Sequence, residues 1–413
     1  MTVEVITFGC RLNSYESEVI KKKAEEEGLE NLYIINSCAV TSEAERQVRQ
    51  EIRKLKKLDP NKKILVTGCA AQINPTKYQE MEEVSLVLGN NEKLERESYA
   101  KIKNQDKMTL VEDIFQRKEV EKAVVESFEG KVRGFLQVQT GCNHLCTFCI
   151  IPYGRGKSVS TPFGPLFEEG KKLLEAGYKE LVITGVDITD YGLDLPGQPS
   201  LGQLIKRLLK FLPDLPRIRL SSLDVAEIDK DLMDLIANEP RLMPHFHLSL
   251  QSGDNLILKR MKRRHSREDI ITFYERVLQM RPDALFGADI IAGFPTETDE
   301  LFHNTYDLIS QLEKIVHLHI FPYSERSGTP AARMPQVPKP IRKTRAKALR
   351  ELGNQSLYRQ LEGKIGKKIK FLVENNNIGR SEDFCLVQLD QKASLGSILQ
   401  AEVKGLEGFK LLI

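Results

Sequence analysis

Three cysteines, Cys142, Cys146 and Cys149, fall within eight residues of the stretch GCNHLCTFCIIPYGRG (141–156). Thiolates at that density hold metal, and the Cys-x3-Cys-x2-Cys spacing narrows the choice. Structural zinc is closed by four ligands, often as paired Cys-x2-Cys units. No fourth cysteine is near, and His144 would have to serve from inside the tight loop. A 4Fe–4S cube on three thiolates keeps one iron free of protein, as a cluster needs if it is to bind and reduce a substrate. Three more cysteines are widely spaced, Cys10, Cys38 and Cys69, and Cys385 stands alone near the C-terminus. A solitary free cysteine behaves as a small buried hydrophobe, which is the reading for Cys385.

The elements around these residues explain how distant thiols could meet. VEVITF (3–8), LYIINS (32–37), KILVTG (63–68) and VSLVLG (84–89) read as buried parallel strands. Helical stretches separate the first three, the second opening with Ser42 and Glu45 in capping-box spacing. Strand–helix repeats of this length imply a right-handed, doubly wound parallel sheet. Cys10, Cys38 and Cys69 each follow a strand, on the carboxyl edge where ligands of such sheets bind. They form a second three-cysteine cluster by this reading. A polar connector follows, and then six more strand candidates separated by helices: FLQVQT, ELVITGV, RIRLSS, HFHLSLQ, LFGADIIAGF and VHLHIFPY. Six such units make a partial barrel, short of the eight that close one. The last fifty residues alternate as short strands with glycine and asparagine turns, a small β-barrel by pattern. The fold class is α/β, divided as 1–94, a linker at 95–131, a barrel at 132–362 and the small module at 363–413.

Bulk composition sets limits. The chain has 413 residues, 41% hydrophobic and 29% charged, with a net charge of +3. It carries no apolar run long enough for a membrane span and no secretory signal at its start. A cytoplasmic protein with reduced thiols is expected. Charge is concentrated locally in KRMKRRHSR (259–267) and KPIRKTRAKALR (339–350), each of which reads as a solvated helix face or a basic patch. The absence of tryptophan argues against a base-stacking platform.

The chain resembles the radical S-adenosylmethionine methylthiotransferases along nearly its whole length. TFGCRLNSYESE (7–18), NSCAVTSEAE (36–45) and TGCAAQ (67–72) match the family's N-terminal cysteine motifs, and GCNHLCTFCIIPYGRGKSVS (141–160) its cluster loop. TGVDITDYG (184–192), LSLQSGDNLILKRMKRRHS (248–266), DIIAGFPTET (289–298) and FPYSERSGTPAARM (321–334) match barrel segments. Within the family, GCRLNSYESE is most similar to the branch acting on threonylcarbamoyladenosine in tRNA. The resemblance implies two 4Fe–4S clusters, on Cys142, Cys146 and Cys149 and on Cys10, Cys38 and Cys69. It also implies S-adenosylmethionine bound at the first, a 5′-deoxyadenosyl radical that takes hydrogen from C2 of adenine, and a sulfur delivered from the second. It implies a C-terminal TRAM-like RNA-binding module, a tRNA anticodon stem-loop as partner, and an electron donor such as flavodoxin or ferredoxin.

Cofactor contacts are expected from Phe148, open between packing on an adenine and packing in the core, and from Thr184 and Gly185, where backbone groups of radical barrels meet the methionine amino group. Ser221, Ser222 and Gln251 lie at strand ends where barrel ligands collect. Gly293 either lets the backbone approach the adenine or only permits a turn. Asp187 and Arg155 are open between substrate contacts and salt bridges. His245 and His247, like His317 and His319, share a strand face and read as structural, since no carboxylate pattern accompanies them. The rival readings are a non-catalytic iron–sulfur or zinc RNA-binding protein, and the same chemistry on isopentenyladenosine or a ribosomal protein.

Overall fold

The computed structural model describes residues 3–116, 125–128 and 130–413. The chain begins with β1 (Val3–Thr7), α1 (Arg11–Glu26), β2 (Leu32–Ser37), α2 (Ser42–Leu58), β3 (Lys63–Gly68) and α3 (Cys69–Ile73), followed by β4 (Leu86–Leu88), α4 (Arg96–Ile102) and β5 (Met108–Leu110). The five strands are parallel in the order β1-β2-β3-β4-β5. Alternation along each strand sends Ile34, Leu65 and Leu86 to one face with Ile20 and Ala24 of α1. Ile35, Ile64 and Val66 go to the other with Val48 and Ile52 of α2. Helices therefore flank both faces. The strands nevertheless step steadily to one side, so α1 and α2 make crossovers of opposite hand, a departure from the uniform right-handed winding expected.

Two smaller corrections belong here. The cap of α2 is Thr41, whose hydroxyl accepts the Ala44 N–H at 3.1 Å. Ser42 and Glu45 form no capping box; they meet Ser324 and Arg326 across the domain boundary instead. The connector expected at 95–131 is also partly structured, because α4 and β5 extend the sheet within it. Residues 117–124 and 129 of that connector lie outside the described residues.

All six barrel strands form where apolar runs marked them. They are β6 (Gly134–Gln137), β7 (Glu180–Thr184), β8 (Arg217–Leu220) with its continuation β9 (Ser222–Leu223), β10 (His245–Gln251), β11 (Leu285–Ala292) and β12 (Ile315–Pro322). All are parallel. Pairing switches at Ser221: β8 bonds to β7, and β9 to β10. No ladder joins β6 to β12 among the described residues, so the barrel is open. Between β6 and β7 a short helix, α5 (Ile151–Arg155), follows the cysteine loop. A long helix, α6 (Lys339–Glu362), packs on β12 and leads to six short strands between 368 and 412.

Those last strands make one mostly antiparallel sheet around Phe371, Val373, Cys385, Val387 and Leu411. Cys385 is a core residue, 1% exposed, as expected. The same core includes Leu285 and Val316, at the starts of β11 and β12. The module thus caps the amino end of the barrel, while the N-terminal sheet covers its carboxyl end through Ser42–Ser324, Glu45–Arg326 and Glu16–Arg155.

Candidate active site

The loop carrying Cys142, Cys146 and Cys149 is held from both ends. Gly141 has φ +73°, and a Cβ there would lie 1.8 Å from the Lys157 carbonyl oxygen, so only glycine fits. Cys142 N–H donates to the Gly156 carbonyl at 3.1 Å and Cys149 N–H to that of Cys146 at 3.0 Å. Thr147 is fixed by three bonds: to the carbonyls of Met261 and Arg260, and from the Ala331 N–H. Arg263 donates to Cys146 Sγ at 3.6 Å and the His144 N–H to Cys142 Sγ at 3.4 Å. Burial and the neighbouring Cys146 push Cys149 up to about 12, and burial together with Asp187 raises Cys142. His144 Nε2 faces Asp187 at 2.8 Å and Glu227 at 3.3 Å. Hydrogen bonds to those two carboxylates raise it to about 10.

The second trio gathers at the carboxyl edge of the N-terminal sheet. Cys10 caps α1, Cys38 follows β2, and Cys69 opens α3. A Cβ on Gly9 would meet Cys38 Sγ at 3.0 Å, and one on Gly68 (φ +93°) would meet the Ser37 carbonyl at 2.4 Å. These two glycines let the strand ends close together, with Cys69 and Cys10 near enough to act on Cys38. Burial, with Cys69 and Cys10 close by, pushes Cys38 up to about 11. Three sulfurs per set, without a fourth cysteine at either among the described residues, suit a cluster with one open iron better than closed zinc.

Arg155, at the end of α5, ties the two sets. Its guanidinium donates to Asn13 Oδ1 at 2.5 Å and to both oxygens of Glu16, at 2.7 and 3.0 Å. Lys93 donates to the same carboxylate at 2.7 Å. Burial would raise Glu16, but Arg155 and Lys93 outweigh it and hold the carboxyl at about 2. Asn90 bridges the same gap, bonding the Gly154 carbonyl and approaching Cys69 Sγ at 3.7 Å. Of the two readings open for Arg155, the structure forms the salt bridge.

A cavity of about 230 Å³ opens beside the loop, lined by Phe148, Cys149, Gln251, Asp289, Ile291 and Tyr323 and roofed by Val40 and Thr41. Phe148 and Gln251 are therefore brought to one cavity with a loop cysteine. Thr184, Gly185, Ser221 and Ser222 are not among its lining residues. Gly185 packs against Gln139, whose Oε1 accepts from Val186 and Asp187. Ser221 Oγ is buried without a partner among the described residues. Gly293 (φ +72°) faces Arg342 of α6, where a Cβ would meet Cγ at 2.5 Å. The histidines do have a carboxylate after all. Asp289 Oδ1 lies 3.0 Å from His247 Nε2 and 3.1 Å from His319 Nδ1, and Gly287 leaves the room that the His247 ring fills.

The basic blocks divide by residue type. Arg263 and Arg267, with Arg342 and Arg345, are engaged in internal bonds. Lys259 and Lys262, with Lys339, Lys343 and Lys347, are exposed. A groove of about 490 Å³ between barrel and C-terminal module adds Lys314, Lys364, Lys367, Lys368 and Lys370.

Comparison with known proteins agrees with this arrangement. The Radical SAM superfamily matches residues 136–309, and the uncharacterized protein family UPF0004 matches residues 2–89. A threonylcarbamoyladenosine tRNA methylthiotransferase MtaB from Rickettsia prowazekii is 56% identical over 404 residues, covering 98% of this chain and 95% of that one. The chain belongs to the MtaB-type tRNA methylthiotransferases. The Aquifex aeolicus member is 38% identical, covering 97% of this chain and 99% of that protein. A tRNA-2-methylthio-N(6)-dimethylallyladenosine synthase from Oceanobacillus iheyensis is 30% identical, covering 96% and 80%. The radical S-adenosylmethionine methyltransferase TsrM from Kitasatospora setae shares the fold, with a TM-score of 0.57 at 14% identity over 80% of this chain and 77% of that one. This methylthiotransferase is an enzyme, and no described helix is long and apolar enough to cross a membrane.

Proposed function

We propose that this enzyme places a methylthio group on C2 of N6-threonylcarbamoyladenosine next to the anticodon of tRNA. The observation that carries the reading is the buried Arg155–Glu16–Lys93 triad, which fixes one three-cysteine set against the other. Two 4Fe–4S clusters with S-adenosylmethionine would supply hydrogen abstraction from an unactivated ring carbon and the sulfur that replaces it. Cys142, Cys146 and Cys149 would hold one cluster, with Arg263 donating to the Cys146 sulfur. Cys10, Cys38 and Cys69 would hold the other. Phe148 and Gln251 would line the cofactor cavity, where Asp289 and Ile291 join them. The N-terminal domain would exclude water by covering the barrel mouth through Ser42 and Glu45. The exposed lysines and the lysine groove would hold RNA phosphates, a contact that weakens as salt rises. The electron would come from a small redox protein such as flavodoxin or ferredoxin, in the cytoplasm.

The test is mass spectrometry of tRNA nucleosides from a host without its own methylthiotransferases, with and without this gene. Appearance of 2-methylthio-threonylcarbamoyladenosine is expected. A methylthio group on the isopentenyl nucleoside instead would overturn the substrate assignment and keep the chemistry.

A further inference from the structure

Guanidiniums crowd the amino end of the barrel. Around the Phe384 ring stand Arg380 at 4.2 Å, Arg219 at 5.0 Å, Arg133 at 5.5 Å and Arg11 at 5.9 Å from the centroid. Arg217 lies on the same strand as Arg219. Four of these five are matched. Arg219 and Arg217 face Glu180 at 2.7 and 4.0 Å, and Arg217 also faces Glu382 at 3.6 Å. Arg133 and Arg380 share Glu374 at 2.9 and 3.0 Å.

Arg11 is the exception. Among the described residues it has no carboxylate within 4.0 Å and no hydrogen-bond acceptor, and its charged neighbours are mostly cations. His245 and His317, packed on the same ring, add no negative charge. A half-buried cation without a counter-charge of its own is unfavourable until an anion reaches it. The planar guanidinium fork suits a carboxylate, which it can hold by two parallel bonds. Position adds the rest. Arg11 directly follows Cys10, and its side chain runs toward Phe384 at the far end of the barrel. The fork therefore starts from the residue beside Cys10 and ends in the arginine cage around Phe384.

We propose that Arg11 is a carboxylate-binding subsite in the barrel lumen, taking the free carboxylate of the threonyl arm on the substrate adenosine. The proposal rests on the substrate reading above and adds the residue that distinguishes an acidic N6 substituent from an apolar one. A carboxylate there completes the charge balance of the arginine cage; an isopentenyl arm leaves it open.

The experiment measures binding of two synthetic anticodon stem-loops to cluster-loaded full-length enzyme by fluorescence anisotropy. One carries threonylcarbamoyladenosine and the other its methyl ester, which differs only in the charge. Wild type is expected to bind the acid at least tenfold more tightly. Arg11→Gln should bind both equally, at the level of the ester, and Arg11→Lys should keep a reduced preference for the acid, with iron content checked in each. Equal binding of acid and ester by wild type overturns the proposal, and so does an undiminished preference in Arg11→Gln. Should Arg11→Gln lose its iron, the Lys variant decides by whether the preference shrinks. An arginine that only braces Phe384 would lower the melting temperature and leave the acid-to-ester ratio alone. One that holds the carboxylate of S-adenosylmethionine would weaken that cofactor equally with either stem-loop. Failure of the substrate reading shows separately, as no methylthio product on the acid stem-loop with wild type.

Discussion

Gly141 decides whether the first cysteine loop exists. Its φ of +73° and the Lys157 carbonyl 1.8 Å from the missing Cβ together exclude alanine. Gly141→Ala should displace the loop and cost roughly half the bound iron, read by iron assay and by the visible absorbance of the purified protein. Gly164→Ala is the control. It lies in a helix with nothing within 4 Å of the added carbon, and alanine should stabilise it by up to about 1 kcal/mol. The cysteines were legible in sequence because their chemistry resides in the side chain and its spacing. Glu16, Lys93, Asn90 and Asp289 were not. Each is ordinary alone and gains its role from a partner on another element: Glu16 from an arginine 139 residues away, Asp289 from histidines on neighbouring strands.

At the scale of elements, α6 shows why a linear charge count misleads. Its first two arginines turn inward, Arg342 to the Val337 and Tyr323 carbonyls and Arg345 to Glu297 and Asp299, while its lysines face solvent. Arg345→Ala leaves Glu297 buried with only the Gly293 N–H, and should cost about 3 kcal/mol in chemical denaturation. Lys347→Ala removes an exposed pair with Glu351 and should change stability by less than about 0.5 kcal/mol. If the two variants unfold alike, the inward reading of the helix is wrong. The same helical repeat carries both residue types, and only the packing partner tells which face is inside. The strands were easier, since buried parallel strands are short apolar runs. β5 escaped because its three residues, Met-Thr-Leu, sit in a polar stretch and gain strand character only beside β4. Alternate crossover hands escaped for another reason: handedness depends on which face each helix covers, which the order of elements does not state.

For the whole molecule, the junction between barrel and C-terminal module is sensitive to acid. His245 stacks on Phe384 at 4.6 Å among arginines, and burial, then His317 and Arg219, keep it well below the usual imidazole range. Burial likewise lowers His317 to about 4, against a partial opposing pull from Asp383. Both rings are neutral when folded and charge near pH 6.5 when unfolded. Their contribution is complete above pH 6.5 and is lost as pH falls from there toward 4, because the unfolded chain binds protons first. The melting temperature should therefore drop across that window, by the equivalent of about 2 kcal/mol. The double variant His245→Asn, His317→Asn should show a flatter profile; a profile as steep as wild type would remove the two rings as the cause.

Phe384 closes the barrel floor, and it sits about 235 residues after the last of the six clustered cysteines. At ordinary translation speeds that separation is roughly 10–50 s. During synthesis the thiols of both sets are thus exposed to iron delivery well before the floor that seals them has been made. Synthesis has a built-in order: the cysteines come first, the walls second and the stopper last. A chain whose C-terminal module arrives before loading would have to admit iron through the roof alone.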